Sequence, residues 1–234
     1  MLEKIACCLI LALPICLRTS QAQENFIAEG KTSILVFDNN GKPFENPASD
    51  IAGTPFLLED WHLGSVTLQN NRRFDSVRLR LNLATQQIHF MDQNNQEIAL
   101  FKGFVKAIRF YDILPGTNNP TEFQTGFPAI DQQDETNFYQ VISKGKIFLL
   151  KFMHKIVSQE KNELSGEIKK EYVGYEDYYV YNGKEMQRVK KDKSAILSLL
   201  ADQQAKVQSF IDTNHLRLKS VDEVKRVIDY YNSL

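Results

Sequence analysis

The chain has 234 residues, with 28 Lys and Arg against 29 Asp and Glu, a net charge of −1 and 43% hydrophobic residues. So balanced a charge offers no global field to nucleic acid or to an anionic membrane. All three cysteines, Cys7, Cys8 and Cys16, precede residue 23. A chain that starts there has no disulfide, no cysteine nucleophile and no cysteine-based metal site.

The first element in chain order is an export signal. Lys4 precedes an apolar run from Ile5 to Leu17, and Ser20-Gln21-Ala22 supplies small residues where a signal peptidase reads. This predicts a signal peptide over residues 1–22, cut after Ala22. The run is too short to cross a bilayer, which takes about 20 apolar residues. Export places the protein in the periplasm or outside the cell. Lipoprotein anchoring through Cys16 competes, but the bulky Ile15 before it disfavours lipidation. What remains divides into a β-rich domain over 23–192 and a helical tail over 193–234.

Residues 23–59 read as an irregular lead-in that wraps the core, with a short strand at Ser33–Phe37 and a turn at Asp38-Asn39-Asn40-Gly41. A calcium reading of that turn fails, because an EF-hand loop places its glycine sixth and here it is fourth. Alternation then takes over. Val66 and Leu68 precede the Asn70-Asn71 turn, and Val77, Leu79, Leu81 and Leu83 alternate with Arg78, Arg80 and Asn82, a ribbon with one dry and one wet face. Strands follow around Ile88 and Phe90, Ile98 and Leu100, and Val105–Tyr111. Connections this short predict antiparallel hairpins.

Residues 112–136 interrupt the rhythm with Pro115, Gly116, Pro120, Gly126 and Pro128. A loop of that length inside a domain is often functional. Phe123 and Phe127 are expected to pin it to the body, and Asp131, Asp134 and Glu135 lie near its end. The segment Phe138–Ile142 and a long strand over Ile147–Val157 come next. The latter is apolar on both alternating sets, so it is expected to be covered on both faces, with the terminal helices on the second. Residues 158–170 read as a charged turn or loop. Tyr178–Tyr181 and Met186–Lys190 flank Asn182-Gly183, the strongest hairpin signal in the chain. After Asp192 the apolar period lengthens to that of a helix, with a break near Asp202 where a new cap is expected. A capping box at Ser220 and Glu223 opens the last helix, whose apolar face is Val221, Val224, Val227, Ile228 and Tyr231. The expected fold is therefore α+β: a curved antiparallel β-meander, as a partial barrel or two-layer sheet, with C-terminal amphipathic helices on one face.

The chemistry-bearing residues are sparse. His62, His89, His154 and His215 have no metal-ligand spacing, and there is no H-E-x-x-H, G-x-S-x-G elbow, Walker loop or dinucleotide fingerprint. No catalytic residue, metal or cofactor is assigned. His154, in the doubly apolar strand, reads as a buried histidine. Acids at Glu59-Asp60, Asp131, Asp134-Glu135 and Glu176-Asp177 would serve a glycosidase only as a facing pair. The most unusual composition is at 172–181, where Tyr172, Tyr175, Tyr178, Tyr179 and Tyr181 are five of the nine tyrosines. Tyrosine presents an apolar ring with a polar tip, which suits glycans, flat ligands and protein partners, although alternate tyrosines on a strand face opposite sides. The basic set Arg188, Lys190, Lys191 and Lys193 reads as a solvated hairpin face. Candidate binding residues are Tyr175, Tyr178, Tyr179 and Tyr181 together with Phe123, Phe127 and Asp131.

Gly53-Thr54-Pro55-Phe56-Leu57 with Trp61 and Gly64, then Gly126-Phe127-Pro128, Phe138-Tyr139-Gln140-Val141, Tyr178-Tyr179-Val180-Tyr181 and Tyr230-Tyr231-Asn232-Ser233 together resemble a family of uncharacterised exported β-meander proteins of Gram-negative bacteria. The resemblance implies a fold and carries no activity. The plan of a curved sheet with helices is also similar, at the level of fold alone, to periplasmic carriers of lipids or lipoproteins. The expected function is a non-enzymatic cell-envelope binding or interaction protein acting on an envelope protein or glycan. The alternatives are a carrier of an apolar ligand and, behind it, an unrecognised hydrolase.

Overall fold

The computed structural model describes residues 50–111, 113, 120–164 and 166–234. The signal peptide with its three cysteines, the Ser33–Phe37 strand, the Asp38–Gly41 turn, and Pro115 and Gly116 lie outside the described residues. The strands are β1 (Ile51–Ala52), β2 (His62–Leu68), β3 (Arg73–Asn82), β4 (Gln87–Met91), β5 (Glu97–Ala99), β6 (Val105–Phe110), β7 (Thr121–Gln124), β8 (Tyr139–Ser143), β9 (Phe148–Lys161), β10 (Ile168–Tyr181) and β11 (Met186–Arg188). The helices are α1 (Lys193–Leu199), α2 (Gln204–Thr213) and α3 (Val221–Ser233), with a 3₁₀ turn over Ala201–Gln203.

The strands form one mixed, mostly antiparallel sheet that does not close. Its order is β1-β10-β9-β8-β7-β6-β2-β3-β4-β5, with β11 added to β10. The meander expected from the short connections is therefore two meanders, β2–β5 and β6–β10, joined where β6 pairs with β2 rather than with β5. Among the described strands, only β1 runs parallel to its neighbour. Two further expectations are corrected. The segment 112–136 is not one loop, since β7 occupies Thr121–Gln124 and pairs with both β6 and β8. The charged stretch 158–170 is not a loop either: β9 runs on to Lys161 and β10 starts at Ile168, so the two make a long hairpin.

The dry face of β3 is as expected, with Val77, Leu79, Leu81 and Leu83 buried among Val66, Phe90, Ile108, Phe110 and Phe123. Asn82, placed on the wet face, is buried because its Oδ1 accepts the Ala84 and Thr85 N–H groups and caps the turn after β3. That turn reaches across the sheet: Gln86 Nε2 donates to the Met153 carbonyl at 2.9 Å, and the Lys155 N–H donates to the Leu83 carbonyl at 3.2 Å. At β2, Gly64 is required because a Cβ would collide with the Arg109 carbonyl of β6.

The helices do cover the second face of β9, but only at its start. Ile147, Leu149 and Val180 pack with Ile196, Leu200, Val207, Ile211, Val224, Val227 and Ile228, whereas Ile156 and Val157 near the far end are exposed. Asp192 caps α1 and the Ser220–Glu223 box caps α3. Asp202, expected to cap α2, instead accepts the Tyr231 hydroxyl at 3.0 Å, tying α3 to the 3₁₀ turn. The last helix is fixed to the sheet by Asn232, whose Oδ1 accepts the Ile147 N–H at 3.0 Å and whose Nδ2 donates to the Ile147 carbonyl at 2.9 Å. Gly145 lies against this side chain with no room for a Cβ. Asn232→Ala leaves both backbone groups of Ile147 without these partners and should lower stability by about 1–3 kcal/mol in urea unfolding.

Candidate functional site

The uninterrupted register of β9 and β10 decides which side chains share a surface. Because side chains alternate, Phe148, Leu150, Phe152, His154 and Ile156 of β9 face the same way as Val173, Tyr175, Asp177, Tyr179 and Tyr181 of β10. Tyr139 of β8 stands opposite Phe152, and Arg188 and Met186 of β11 stand opposite Tyr179 and Tyr181. This is an aromatic face. Tyr178 belongs to the other side, where its hydroxyl donates to Glu176, itself paired with Lys151 at 3.0 Å.

A strap from Gly126 to Phe138 folds over one end of the face. It is closed at its base by the Gly126 N–H donating to the Glu135 carbonyl at 2.7 Å, with Gly126 at φ +87°. Phe127 enters the cluster edge-on to Tyr139 and Tyr181, at centroid separations of 5.4 and 5.3 Å. Such T-shaped contacts set the positive ring edge on a negative ring face, which holds the strap in one register. At its tip, Ile130 and Gln133 exchange backbone hydrogen bonds, and Asp131 between them sits at φ +52°. A non-glycine residue there stores strain of about 1 kcal/mol or more. The turn thereby aims Asp131 at the Tyr179 hydroxyl, which donates to its Oδ2 at 2.8 Å. Arg188 lies between Asp131 at 3.5 Å and Asp177 at 2.6 Å, with its guanidinium 5.8 Å from the Tyr179 ring centre. Burial, together with the bond to Asp131, pushes the Tyr179 hydroxyl up to about 12, so it stays a donor. The Tyr139 hydroxyl beside this group is buried and has no hydrogen-bond partner among the described residues, and burial raises its pKa first, with Tyr179 and Asp131 adding to it.

Beyond the strap the face opens. Phe152, His154 and Tyr175 stack in sequence, at 5.3 Å and 21° and then 5.4 Å and 20°. The inner ring is buried, while Tyr175 is 47% exposed and Ile156 is 49% exposed. This stack carries a rigid aromatic surface from the core to solvent.

Of the seven sequence candidates, the structure brings together Tyr175, Tyr179, Tyr181, Phe127 and Asp131. Phe123 is not among them: it is buried in the core between Phe110 and Ile108, on β7 rather than on a loop. Tyr178 is excluded by alternation. His154, Arg188, Asp177 and Tyr139 were missed. His154 looks like an ordinary core residue until Tyr175 is placed opposite it, and Arg188 is drawn out of the basic run by the four-residue turn Asn182–Glu185 that sets it against Tyr179.

A second constellation, on the wet face of β3–β5, had no sequence signal. The Arg80 guanidinium lies between the rings of Phe56, at 3.9 Å, and Trp61, at 4.2 Å. It pairs with Glu97, which is also bonded to His89 Nδ1 at 2.6 Å. Burial acts to raise the Glu97 pKa, but the bond from His89 and the charge of Arg80 outweigh it and hold the carboxyl below its ordinary 4.5. Among the described residues, no group of three or more His, Cys, Asp or Glu could hold a metal ion.

Two measurements check these assignments. In urea unfolding, Tyr179→Phe should cost about 1 kcal/mol by removing a bond to a carboxylate, whereas Tyr139→Phe should be neutral or stabilising because it removes an orphaned buried hydroxyl. A carboxylate with a depressed folded pKa stabilises above its unfolded pKa and loses that contribution as pH falls through the folded value. Glu97→Gln should therefore flatten the loss of stability between about pH 5 and pH 3. Comparison of the chain with family models, with curated proteins and with solved structures gave no match.

Proposed function

We propose that this chain is an exported, non-enzymatic interaction protein of the cell envelope, of the exported β-meander kind that its motifs resemble, and that the aromatic face of β9–β10 receives a protein partner. The observation that carries the reading is the stack Phe152–His154–Tyr175, which ends in an exposed ring beside an exposed Ile156. Rigid aromatics flanked by an Arg are what interface centres are enriched in, because they bring large contact area at small entropic cost. Arg188, Asp177 and Asp131 supply the polar rim.

Two observations favour this reading over the alternatives. A carrier needs an apolar pocket of about 300 Å³ or more. The crevice lined by Gln86, Ile88, Leu100, Val105 and Phe138, at the edge of the largest apolar cluster, has no space for a water molecule, and the roomier hollow of about 540 Å³ along residues 201–208 is open and lined mainly by the polar Asp202, Gln203, Gln204, Lys206 and Gln208. A glycosidase needs an acid with a raised pKa facing a second carboxylate. Instead, hydrogen bonds from Thr136 hold Asp134 below the usual range, Glu135 is exposed and Asp131 is engaged by Tyr179.

A photo-crosslinking residue in place of Tyr175, expressed in the producing cell, tests the proposal. It should give a discrete adduct with one envelope protein, absent when the same residue replaces the remote, exposed Lys206. Adducts no different from the Lys206 control, or adducts to glycan alone, would overturn it. Tyr175→Ala should abolish capture of that partner while costing under about 1 kcal/mol of stability, as for an exposed ring in one stack.

A further inference from the structure

The second edge of β10 is not filled along its length. On that side β1 pairs with Lys170 and Glu171, and β11 pairs with Tyr179, Val180 and Tyr181. Among the described residues, no strand pairs with Tyr172–Asp177 there. The direction of the backbone groups follows from two observations. The Asn162 N–H donates to the Glu167 carbonyl at 2.8 Å, and the register runs unbroken from there, so odd-numbered residues of β10 exchange hydrogen bonds with β9. Even-numbered residues face the other edge, as the Val189 N–H donating to the Tyr178 carbonyl at 2.8 Å shows. The N–H and C=O groups of Gly174 and Glu176 thus point into the gap, and both residues are exposed. Natural edges are usually blunted by Lys, Pro or a bulge. The sequence Tyr172-Val173-Gly174-Tyr175-Glu176-Asp177 has none of these three, and its two charges, Glu176 and Asp177, are paired with Lys151 and Arg188 of the sheet itself.

We infer that this gap is a strand-addition slot that takes an extended segment of about six residues from a partner polypeptide. The slot is about 20 Å long at the rise of a strand. Its two ends are stopped by β1 and β11 in the plane of the sheet. A second copy of this chain cannot fill it with its own β10, because that strand is 14 residues long and would run into β1 or β11. A short segment fits. On one side its alternate residues would lie beside Val173 and Tyr175, next to the exposed Ile156, which selects apolar side chains. On the other they would meet Gly174, against which the Lys155 side chain lies, and Glu176, whose carboxylate is already paired with Lys151 and the Tyr178 hydroxyl, a polar surface without an unpaired charge. The segment is therefore one that alternates apolar with polar residues. The inference rests on reading the chain as an interaction protein, and it names the chemistry of the partner.

The test pans the exported protein against a displayed library of random eight-residue peptides and then measures the selected peptides as synthetic compounds. Their alternate positions should be apolar, and N-methylation of alternate residues should weaken binding at least tenfold by removing the backbone donors. Gly174→Pro deletes an outward N–H that the β9 ladder does not use, so it should weaken binding at least tenfold. Should that variant not fold, amide exchange of the unaltered protein decides: Gly174 and Glu176 should exchange quickly alone and become protected when peptide is added. Protection of these amides in the protein alone would show the slot already filled and overturn the inference. Failure to select any peptide would overturn it too. Peptides lost with Tyr175→Ala but indifferent to Gly174→Pro and to N-methylation would overturn the slot and leave the interaction reading standing.

Discussion

The structure depends on one pairing, the antiparallel ladder of β9 and β10, in which fourteen residues face fourteen without a bulge. Because side-chain direction has a period of two, a single slip would exchange every residue between the two faces. What holds the register is that each face is already committed. Leu149 and Val180 on one side are buried by the helices, and Leu150, Phe152 and Tyr179 on the other are buried by Tyr139, Met186 and the Phe127 strap. A slip would bring Lys151 and Asp177 toward apolar ground at a cost of several kcal/mol.

The same commitment explains why one end of the hairpin is dry and the other available. The helices and the strap both sit at the Phe148–Tyr181 end, where Ile147, Leu149 and Val180 on one face and Phe127, Tyr139 and Tyr179 on the other are all buried. Beyond Phe152 neither layer extends. The ladder continues to Lys161 through exposed Ile156 and Val157, held by backbone bonding to β10 and by Lys155, whose Nζ donates to the Thr54 and Phe56 carbonyls. The proposed recognition surface thus lies where the sheet is rigid enough to present it and no longer needs it for its own core.

Much of this fold was legible in local pattern. The period-two run at Val77–Leu83, the Asn182-Gly183 turn, the capping box at Ser220 and the apolar stripe from Val224 to Tyr231 each rest on residues near one another in sequence, and each was found. What was not legible is non-local. Nothing near Val105 says that it belongs beside Leu68 rather than beside Leu100, and the prolines and glycines on both sides of Thr121–Gln124 conceal a buried strand that only its neighbours β6 and β8 define. The candidate site divides in the same way. Composition drew attention to the tyrosines, but only the register sorts Tyr175, Tyr179 and Tyr181 from Tyr178, adds His154 from another strand, and turns Arg188 from a solvated cation into the bridge between two aspartates.

The central claim, that one unbroken register gathers these rings on a single face, is tested most directly by proton contacts in solution. The account predicts nuclear Overhauser cross-peaks from the His154 imidazole to the rings of both Phe152 and Tyr175, with the imidazole protons shifted upfield by the two stacked neighbours. Cross-peaks from His154 to Tyr178 instead, or an imidazole at its random-coil shift without ring contacts, would contradict the register and the aromatic face built on it.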